Sequence, residues 1–151
     1  MQRVLSAEVE VEARSVGKIG PGLLVLVAAH RRDTLADAAK MADRIAKIRI
    51  FSDADGKMNL SLLDLPTDRP GGVLLVSNFT VYGETAKNRR PSFIDSAPYQ
   101  EGEVLFQELV EQVKKLGIQV ETGVFGGDMK VSLVNDGPVT VILEVGPSGR
   151  D

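Results

Sequence analysis

The chain has 151 residues, of which 43% are hydrophobic and 26% charged, and its net charge is −3. This length and composition are typical of one soluble globular domain with its own core, and they exclude a disordered or fibrous chain. The negative charge argues against broad, non-specific adhesion to nucleic acid, because such binding needs many cationic contacts with phosphate. Any contact with RNA should therefore be local, and DNA is not expected as a partner.

Two residue counts restrict the chemistry further. There is no cysteine and only one histidine, His30. Disulfides, thiolate nucleophiles and cysteine-bound zinc are excluded, and a Ser-His-Asp triad would have to use His30. His30 stands between an apolar run and two arginines, which predicts a surface histidine. The acidic run from Asp53 to Gly56 lacks the rest of a calcium loop, so no metal and no cofactor is expected.

No segment is typical of a membrane protein. The longest apolar run, Ile19 to Ala29, is interrupted by a Gly-Pro-Gly sequence and is too short to cross a bilayer as a helix. The N-terminus lacks the apolar stretch of a secretory signal. We therefore expect a cytoplasmic protein that does not bind membranes.

The first third of the chain predicts a hairpin, a buried strand and a helix. Residues 4–13 alternate between apolar and polar types, residues 15–18 resemble a turn, and residues 23–29 are continuously apolar. Thr34, with Asp37 three residues later, favours a helix start. The helical spacing of the apolar residues that follow predicts a helix over 34–47.

The middle of the chain predicts three strands and a second helix. Short strands are expected over 48–51 and 59–63, on either side of a turn rich in aspartate and glycine, and a stronger strand over 72–81. A polar, irregular segment continues to residue 97. Pro98 is expected at the first position of a helix whose apolar stripe ends at Leu116, ahead of Gly117.

The last third predicts three closing strands, over 118–122, 129–134 and 139–145. Taken alone, the Asn-Asp-Gly-Pro sequence at 135–138 is typical of a hairpin turn. Since strands outnumber helices, we expect an α+β fold, with twisted, mostly antiparallel sheets forming a barrel-like core and two helices packed outside. A single domain over residues 1–145 and a flexible C-terminal tail over 146–151 are predicted.

Two short motifs carry the functional information. Ser77-Asn78-Phe79-Thr80 lies near the end of a predicted strand and is followed by Arg89-Arg90-Pro91-Ser92-Phe93, and a second motif runs from Asn135 to Thr140. Each motif alone is typical of a strand end or a turn. Together they resemble the Ser-Gln-Phe-Thr and Asn-X-Gly-Pro-Val-Thr motifs of the D-aminoacyl-tRNA deacylase family. Further matches, in order from residue 2 to about 145, support the resemblance.

The resemblance implies a homodimeric enzyme that hydrolyses the ester bond of D-aminoacyl-tRNA, at the tRNA 3′ end. It also implies that the Gly137-Pro138 pair is cis and reaches into the pocket of the partner subunit. Both carbonyl oxygens would then accept hydrogen bonds from the α-ammonium group of the substrate. An L side chain would be directed at the protein wall, whereas achiral glycine, as in glycyl-tRNA mischarged on tRNA-Ala, could pass.

The same resemblance assigns the site residues. The main-chain N–H groups of Phe79 and Thr80 would stabilise the oxyanion, and either the Thr80 hydroxyl or, as we favour, the terminal ribose 2′-OH would assist the attacking water. Asn78 departs from the usual glutamine, which puts any contact by that amide in doubt. The catalytic set is thus Ser77, Asn78, Phe79 and Thr80, and the substrate-binding set is Phe125, Met129, Asn135, Gly137 and Pro138.

The basic run at 87–90 is the best local candidate for tRNA contact. Lys87, Arg89 and Arg90 are assigned to tRNA binding, although such a run by itself is typical of a solvated loop. Two alternatives to the hydrolase stay open at this point. One is a non-catalytic dimeric module that binds RNA ends or amino acids, and the other is an editing domain for another mischarged tRNA.

Overall fold

Six strands form one mixed sheet, and two helices pack against it, in a computed structural model that describes residues 1–86 and 89–146. A separate two-stranded sheet and two 3-10 helices, Leu62–Asp64 and Phe79–Tyr82, complete the elements. In the described ranges no helix is long and apolar enough to cross a membrane. The strands are β1 Gln2–Val11, β2 Arg14–Ile19, β3 Gly22–Val27, β4 Phe51–Ser52, β5 Met58–Leu60, β6 Gly72–Ser77, β7 Gln119–Thr122 and β8 Lys130–Thr140, and the helices are α1 Leu35–Lys47 and α2 Tyr99–Lys115.

The long strand β1 organises the sheet. It pairs antiparallel with β2, β3 and β8, while β6 runs parallel to both β3 and β7. The pairing keeps one register from Ala7 opposite Ile19 to Val4 opposite Gly22. Strands β2 and β3 therefore lie along the same edge of β1, as two halves of one bent strand.

The sheet curls until its two ends nearly meet. A Cβ atom added to Gly17 in β2 would lie 2.4 Å from the carbonyl oxygen of Thr122, the last residue of β7. Only glycine permits so close an approach of two backbones. The predicted fold class is confirmed: an α+β domain with two helices outside a sheet that is mixed, mostly antiparallel and almost closed into a barrel.

Both faces of the sheet are apolar, because successive side chains of a strand point to opposite sides. In β3, Leu23 and Val25 face the two helices, whereas Leu24 faces the interior of the barrel. In β6, Val73 and Leu75 face the helices, and Leu74 and Val76 face the barrel. A strand buried on both faces has a continuous apolar sequence, as the sequence of both strands shows.

The two helices start as their sequences suggest, with one adjustment. The Asp37 carboxylate accepts hydrogen bonds from the N–H and the hydroxyl of Thr34, at 2.8 and 2.7 Å, at the start of α1. These bonds hold the pKa of Asp37 below its usual value. Pro98 is the residue that caps α2 and not its first helical residue, because its ψ of 153° is extended.

The predicted turn at residues 15–18 is wrong, since these residues belong to β2. The chain reverses at Glu12 and Ala13, which have φ angles of 49° and 59°. Two consecutive residues with positive φ match the twist of a two-residue hairpin. Glutamate and alanine are not typical turn formers, and the local sequence therefore gave no sign of the true position.

Other predicted boundaries also shift. The strand predicted over 48–51 begins only at Phe51, the one predicted over 59–63 is β5 followed by a 3-10 helix, and β6 ends at Ser77 rather than at residue 81. The reason is the same in the last two cases. Ser61 and Asn78 are the N-cap residues of the two 3-10 helices. Their short polar side chains form hydrogen bonds within these turns, and such local bonds compete with the pairing of a strand.

The hairpin predicted around residues 135–138 is wrong. Residues 130–140 form the single strand β8, both ends of which pair with β1, and residues 141–145 are outside any strand. The register changes from Val4 opposite Asn135 to Gln2 opposite Thr140. Residues 136–139 thus form a bulge in a continuous strand, and Arg3 is the only residue of β1 opposite that bulge. The predicted tail falls outside the described residues, apart from Gly146.

The close approach of β2 and β7 can be tested with Gly17→Ala. We expect the free energy of unfolding to fall by about 1–3 kcal/mol, because the added methyl group must push one backbone away from the other. Urea denaturation measures the change. Gly20→Ala is the matched control, since a Cβ there meets nothing within 4 Å. Equal stability of the two variants would show that β2 and β7 do not meet as described.

Candidate functional site

The candidate site lies where three parallel strands end. Since β3, β6 and β7 run in the same direction, their carboxyl ends meet at one edge of the sheet. Ser77 ends β6, Ala28 follows β3, and Phe125 follows β7. A cavity of ≈ 950 Å³ opens at this edge.

The cavity brings together residues from both ends of the sequence. Ser77, Asn78 and Phe79 line it, as do Phe125 and Met129, which were predicted to bind substrate. Most of the remaining wall is apolar. It includes Leu24, Leu26, Ala29, Phe93, Ser96, Tyr99 and Leu133.

Asn78 holds the turn that follows β6. Its side-chain oxygen accepts a hydrogen bond from the Thr80 N–H at 3.2 Å and another from the Thr80 hydroxyl at 2.6 Å. Its carbonyl oxygen accepts from the Val81 N–H at 3.2 Å. The Thr80 N–H is thus bonded to a side chain of the protein, whereas the Phe79 N–H has no acceptor within the described residues.

Two residues of the segment before α2 contact Phe79. The Phe93 ring meets the Phe79 ring edge to face, with centroids 5.1 Å apart, and the Ser96 hydroxyl donates to the Phe79 carbonyl oxygen at 3.0 Å. On the opposite wall, Tyr99 contacts Phe125 in the same edge-to-face manner at 5.1 Å. Phe79 is nevertheless 59% exposed, so its face is open to a ligand.

His30 is buried, and the prediction of a surface histidine is wrong. Only 4% of the residue is exposed. Its Nδ1 accepts from the Arg32 N–H at 3.1 Å, and its ring contacts Tyr82 with centroids 5.6 Å apart. The segment that covers His30 includes Ser96, which forms a β-bridge with it. Because this cover is 66 residues away in the sequence, the neighbours of His30 in the chain could not reveal it.

Asp33 adds a carboxyl group to the cavity wall. One oxygen accepts a hydrogen bond from the His30 N–H at 2.8 Å, while the other is buried and has no partner within the described residues. Burial raises the pKa of Asp33, because desolvation penalises the charged form.

The Gly137-Pro138 pair lies outside the cavity of its own chain. The peptide bond between the two residues is cis, and Gly137 has a φ of 127°, which side-chain-bearing residues rarely adopt. Both residues and Asn135 are exposed. Of the predicted substrate-binding residues, the structure therefore gathers Phe125 and Met129 at the cavity and places Asn135, Gly137 and Pro138 elsewhere on the surface.

Arg3 anchors the bulge that carries this pair. Its guanidinium is buried, lies 3.1 Å from the Asp136 carboxylate, and also donates to the carbonyl oxygens of Asp136 and Ile50. A buried cation needs such partners, because an unpaired charge is costly in the interior. Arg3 is not among the predicted site residues, because its partners Asp136 and Ile50 are distant in the sequence.

The structure describes two of the three residues that were predicted to bind tRNA. Arg89 and Arg90 are exposed and lie three to four residues ahead of Phe93, which contacts Phe79. Lys87 lies outside the described residues, as does Asn88. Within the described residues no group of three or more His, Asp or Glu side chains could hold a metal ion.

The sequence matches one protein family and resembles proteins of known name over nearly its whole length. The family model described as D-Tyr-tRNA(Tyr) deacylase matches residues 1–144. A protein named D-aminoacyl-tRNA deacylase from Thermosipho africanus is 50% identical, with 95% of this chain and 94% of the relative covered. One of the same name from Myxococcus xanthus is 51% identical, with 95% and 92% covered.

Two solved structures share the fold. A structure titled c-Myc DNA Unwinding Element Binding Protein has a TM-score of 0.86 and 32% sequence identity, and 96% of each chain is covered. A structure described as a probable eukaryotic D-amino acid tRNA deacylase has a TM-score of 0.74, with 91% of this chain and 92% of that chain covered. At 17% identity, the second comparison shows the fold alone.

Proposed function

The chain belongs to the D-Tyr-tRNA(Tyr) deacylase family, and we infer that it is an enzyme that hydrolyses the ester bond of D-aminoacyl-tRNA. The products are a free D-amino acid and tRNA, and the activity serves translation quality control. The observation that carries this conclusion is the family match over residues 1–144, which includes the strand end that lines the cavity.

The reaction needs a positioned water and a donor for the oxyanion. An aminoacyl ester is already activated, so the charge that develops on the carbonyl oxygen is the main target for stabilisation. We assign that role first to the Phe79 N–H, whose hydrogen is unpaired in the described structure. One such donor typically contributes about 3 kcal/mol to the transition state. The Thr80 N–H would have to exchange Asn78 for the oxyanion before it could act as a second donor.

Activation of the water does not require a side-chain base. The Thr80 hydroxyl donates its hydrogen to the Asn78 amide oxygen, which is too weak a base to remove a proton. The single histidine is buried behind Tyr82, with its Nδ1 occupied. We therefore assign the assisting group to the substrate, as the 2′-OH of the terminal ribose.

We propose that Asn78, where the family usually has glutamine, does not contact the substrate. Its side chain folds back onto the following turn and bonds Thr80, so its oxygen supports the protein instead of reaching for the ligand. The role we assign to Asn78 is to hold the main-chain donors. Ser77 is the last residue of β6 and leads into that turn.

A second copy of the chain is the proposed partner. Gly137 and Pro138 are exposed and lie outside their own cavity, while Leu26 and Leu133 at the cavity are 41% and 38% exposed. In a homodimer, each chain would supply its Gly-Pro pair to the largely apolar cavity of the other. The two carbonyl oxygens would then accept from the substrate ammonium group, and an L side chain would meet the wall.

The remaining contacts concern the tRNA. Phe125 and Met129 line the cavity, and we assign them to the apolar surface that receives the end of the substrate. In the proposed homodimer, Asn135 would flank the Gly-Pro pair that enters from the partner. We assign Arg89 and Arg90, which are exposed, to contacts with phosphates near the 3′ end, with Lys87 assigned to the same run. The catalytic domain is proposed to span residues 1–145, and the protein to act in the cytoplasm, where aminoacyl-tRNA is made.

Parallel assays with D-tyrosyl-tRNA and L-tyrosyl-tRNA test the proposed function. We expect the D ester to be lost about 100-fold faster than the L ester, a ratio within reach of rejection by shape. The ester that survives is measured against a blank without protein. Equal loss of both esters would indicate an editing domain for other substrates, and no loss above the blank would indicate a binding module.

The chiral role of the Gly-Pro pair is tested by Pro138→Ala. Alanine does not fix the backbone as proline does, so the two carbonyl oxygens should lose their alignment and the D-to-L rate ratio should fall. Pro21→Ala is the matched control, because Pro21 also follows a glycine but lies in the turn between β2 and β3. If Pro138→Ala keeps the wild-type ratio, this pair does not select the substrate.

The role of the Thr80 hydroxyl is tested by Thr80→Ala. We expect kcat to stay within about tenfold of the wild type, because the variant loses only a hydrogen bond to Asn78. Thr80→Ser, which keeps that bond, should be closer still to the wild type. A loss of roughly 10³-fold or more in single-turnover rate would instead identify the hydroxyl as the nucleophile.

A further inference from the structure

We propose that Ser96 is a positioning residue for this reaction: with Asn78 it holds the Phe79–Thr80 peptide at both ends, and so aims the Phe79 N–H at the substrate. The inference rests on the proposed function, since it concerns the donor that stabilises the oxyanion. Ser96 lies outside both sequence motifs. Its role is visible only from its contacts.

Two side chains bind the two polar groups of one peptide unit. The Ser96 hydroxyl donates to the Phe79 carbonyl oxygen at 3.0 Å. The Asn78 side-chain oxygen accepts from the Thr80 N–H, in the same peptide plane, at 3.2 Å. A plane held at both ends by different elements cannot rotate without breaking a hydrogen bond.

The preceding peptide unit is held only at its carbonyl end. The Asn78 carbonyl oxygen accepts from the Val81 N–H at 3.2 Å, and the other end of this plane is the Phe79 N–H, which has no acceptor within the described residues. Asn78 and Phe79 both line the cavity. The two planes share the Phe79 Cα atom, so holding the second plane fixes the position of one end of the first. The Asn78–Val81 hydrogen bond limits rotation of the first plane, and the two restraints together set the direction of the donor.

The position of Ser96 is set by β3 and its extension. The residues on either side of Ser96 bond the chain that follows β3: the Arg31 N–H donates to Asp95 at 3.0 Å, and the Ala97 N–H donates to Ala29 at 2.8 Å. His30 forms the β-bridge with Ser96, and its buried ring contacts Tyr82 at the far end of the 3-10 helix. The hydroxyl is thus attached to the sheet, although it belongs to an irregular segment.

A positioning role and a merely structural role predict different kinetics. If Ser96 only stabilised the segment around it, its loss would lower stability or weaken substrate binding, and so would raise KM. If it aims a donor at charge that develops only in the transition state, its loss lowers kcat and leaves KM unchanged. Small misplacements of such a donor are known to be costly, because the geometry at the reacting atoms is demanding.

The kinetic test compares Ser96→Ala with Ser96→Thr on D-tyrosyl-tRNA. We expect Ser96→Ala to lower kcat by about five- to tenfold, the usual effect of one lost hydrogen bond, with KM within twofold of the wild type. Ser96→Thr keeps the hydroxyl and should restore kcat. Ser52→Ala, an exposed serine in β4 away from the cavity, is the matched control. An unchanged kcat in Ser96→Ala, a change in KM alone, or no rescue by threonine would overturn the proposal.

An NMR measurement without substrate separates this inference from the proposed function. The amide nitrogen of Thr80 shares a peptide unit with the Phe79 carbonyl, so its chemical shift responds to the bond from Ser96. We expect the Thr80 ¹⁵N resonance to move in Ser96→Ala and to return in Ser96→Thr. A wild type without deacylase activity would end the proposed function, whereas an unmoved Thr80 resonance would end the proposed clamp.

Discussion

The parallel alignment of β3, β6 and β7 is the constraint on which the rest of the site depends. Parallel strands present their carboxyl ends at one edge, and here that edge collects the turn after β6, the extension of β3 to His30 and the loop that carries Phe125. The alignment persists because both faces of β3 and β6 are buried, one against the helices and one inside the barrel. A one-residue slip of β6 would move each of its side chains to the opposite face of the sheet. The cavity lining and the Phe79 N–H would then both be displaced.

The proposed site relies on main-chain groups that are held by other parts of the molecule. Asn78 and Ser96 hold one peptide unit from two sides, and Arg3 holds the bulge at Gly137 and Pro138 through Asp136. Main-chain N–H groups do not titrate, so their ability to stabilise an oxyanion depends on their orientation alone. This explains how an enzyme with one buried histidine and no cysteine could still provide an ester-hydrolysing site.

The two halves of the proposed active site face different problems of assembly. The turn after β6, which carries the Phe79 N–H, is formed within one chain. It is held by Asn78, directly after β6, and by Ser96, in the segment before α2. The Gly-Pro pair lies outside its own cavity, and the role proposed for it requires a second copy of the chain. Folding of the chain and completion of the site are therefore separate events in this proposal, and association of two chains is what joins them.

Local sequence determined the elements whose causes are local. The apolar runs of β3 and β6 identified buried strands, the Thr34 and Asp37 pair marked the start of α1, and the two motifs identified the family whose model matches residues 1–144. Only the tertiary structure decided that β8 is one strand along β1, that His30 is buried beneath residue 96, and that Arg3 and Ser96 hold main-chain groups of the site. The physical reason is that periodicity and capping depend on neighbours a few residues away. Strand pairing, burial and the partners of a carbonyl group depend on segments that are distant in the chain and meet only when it folds.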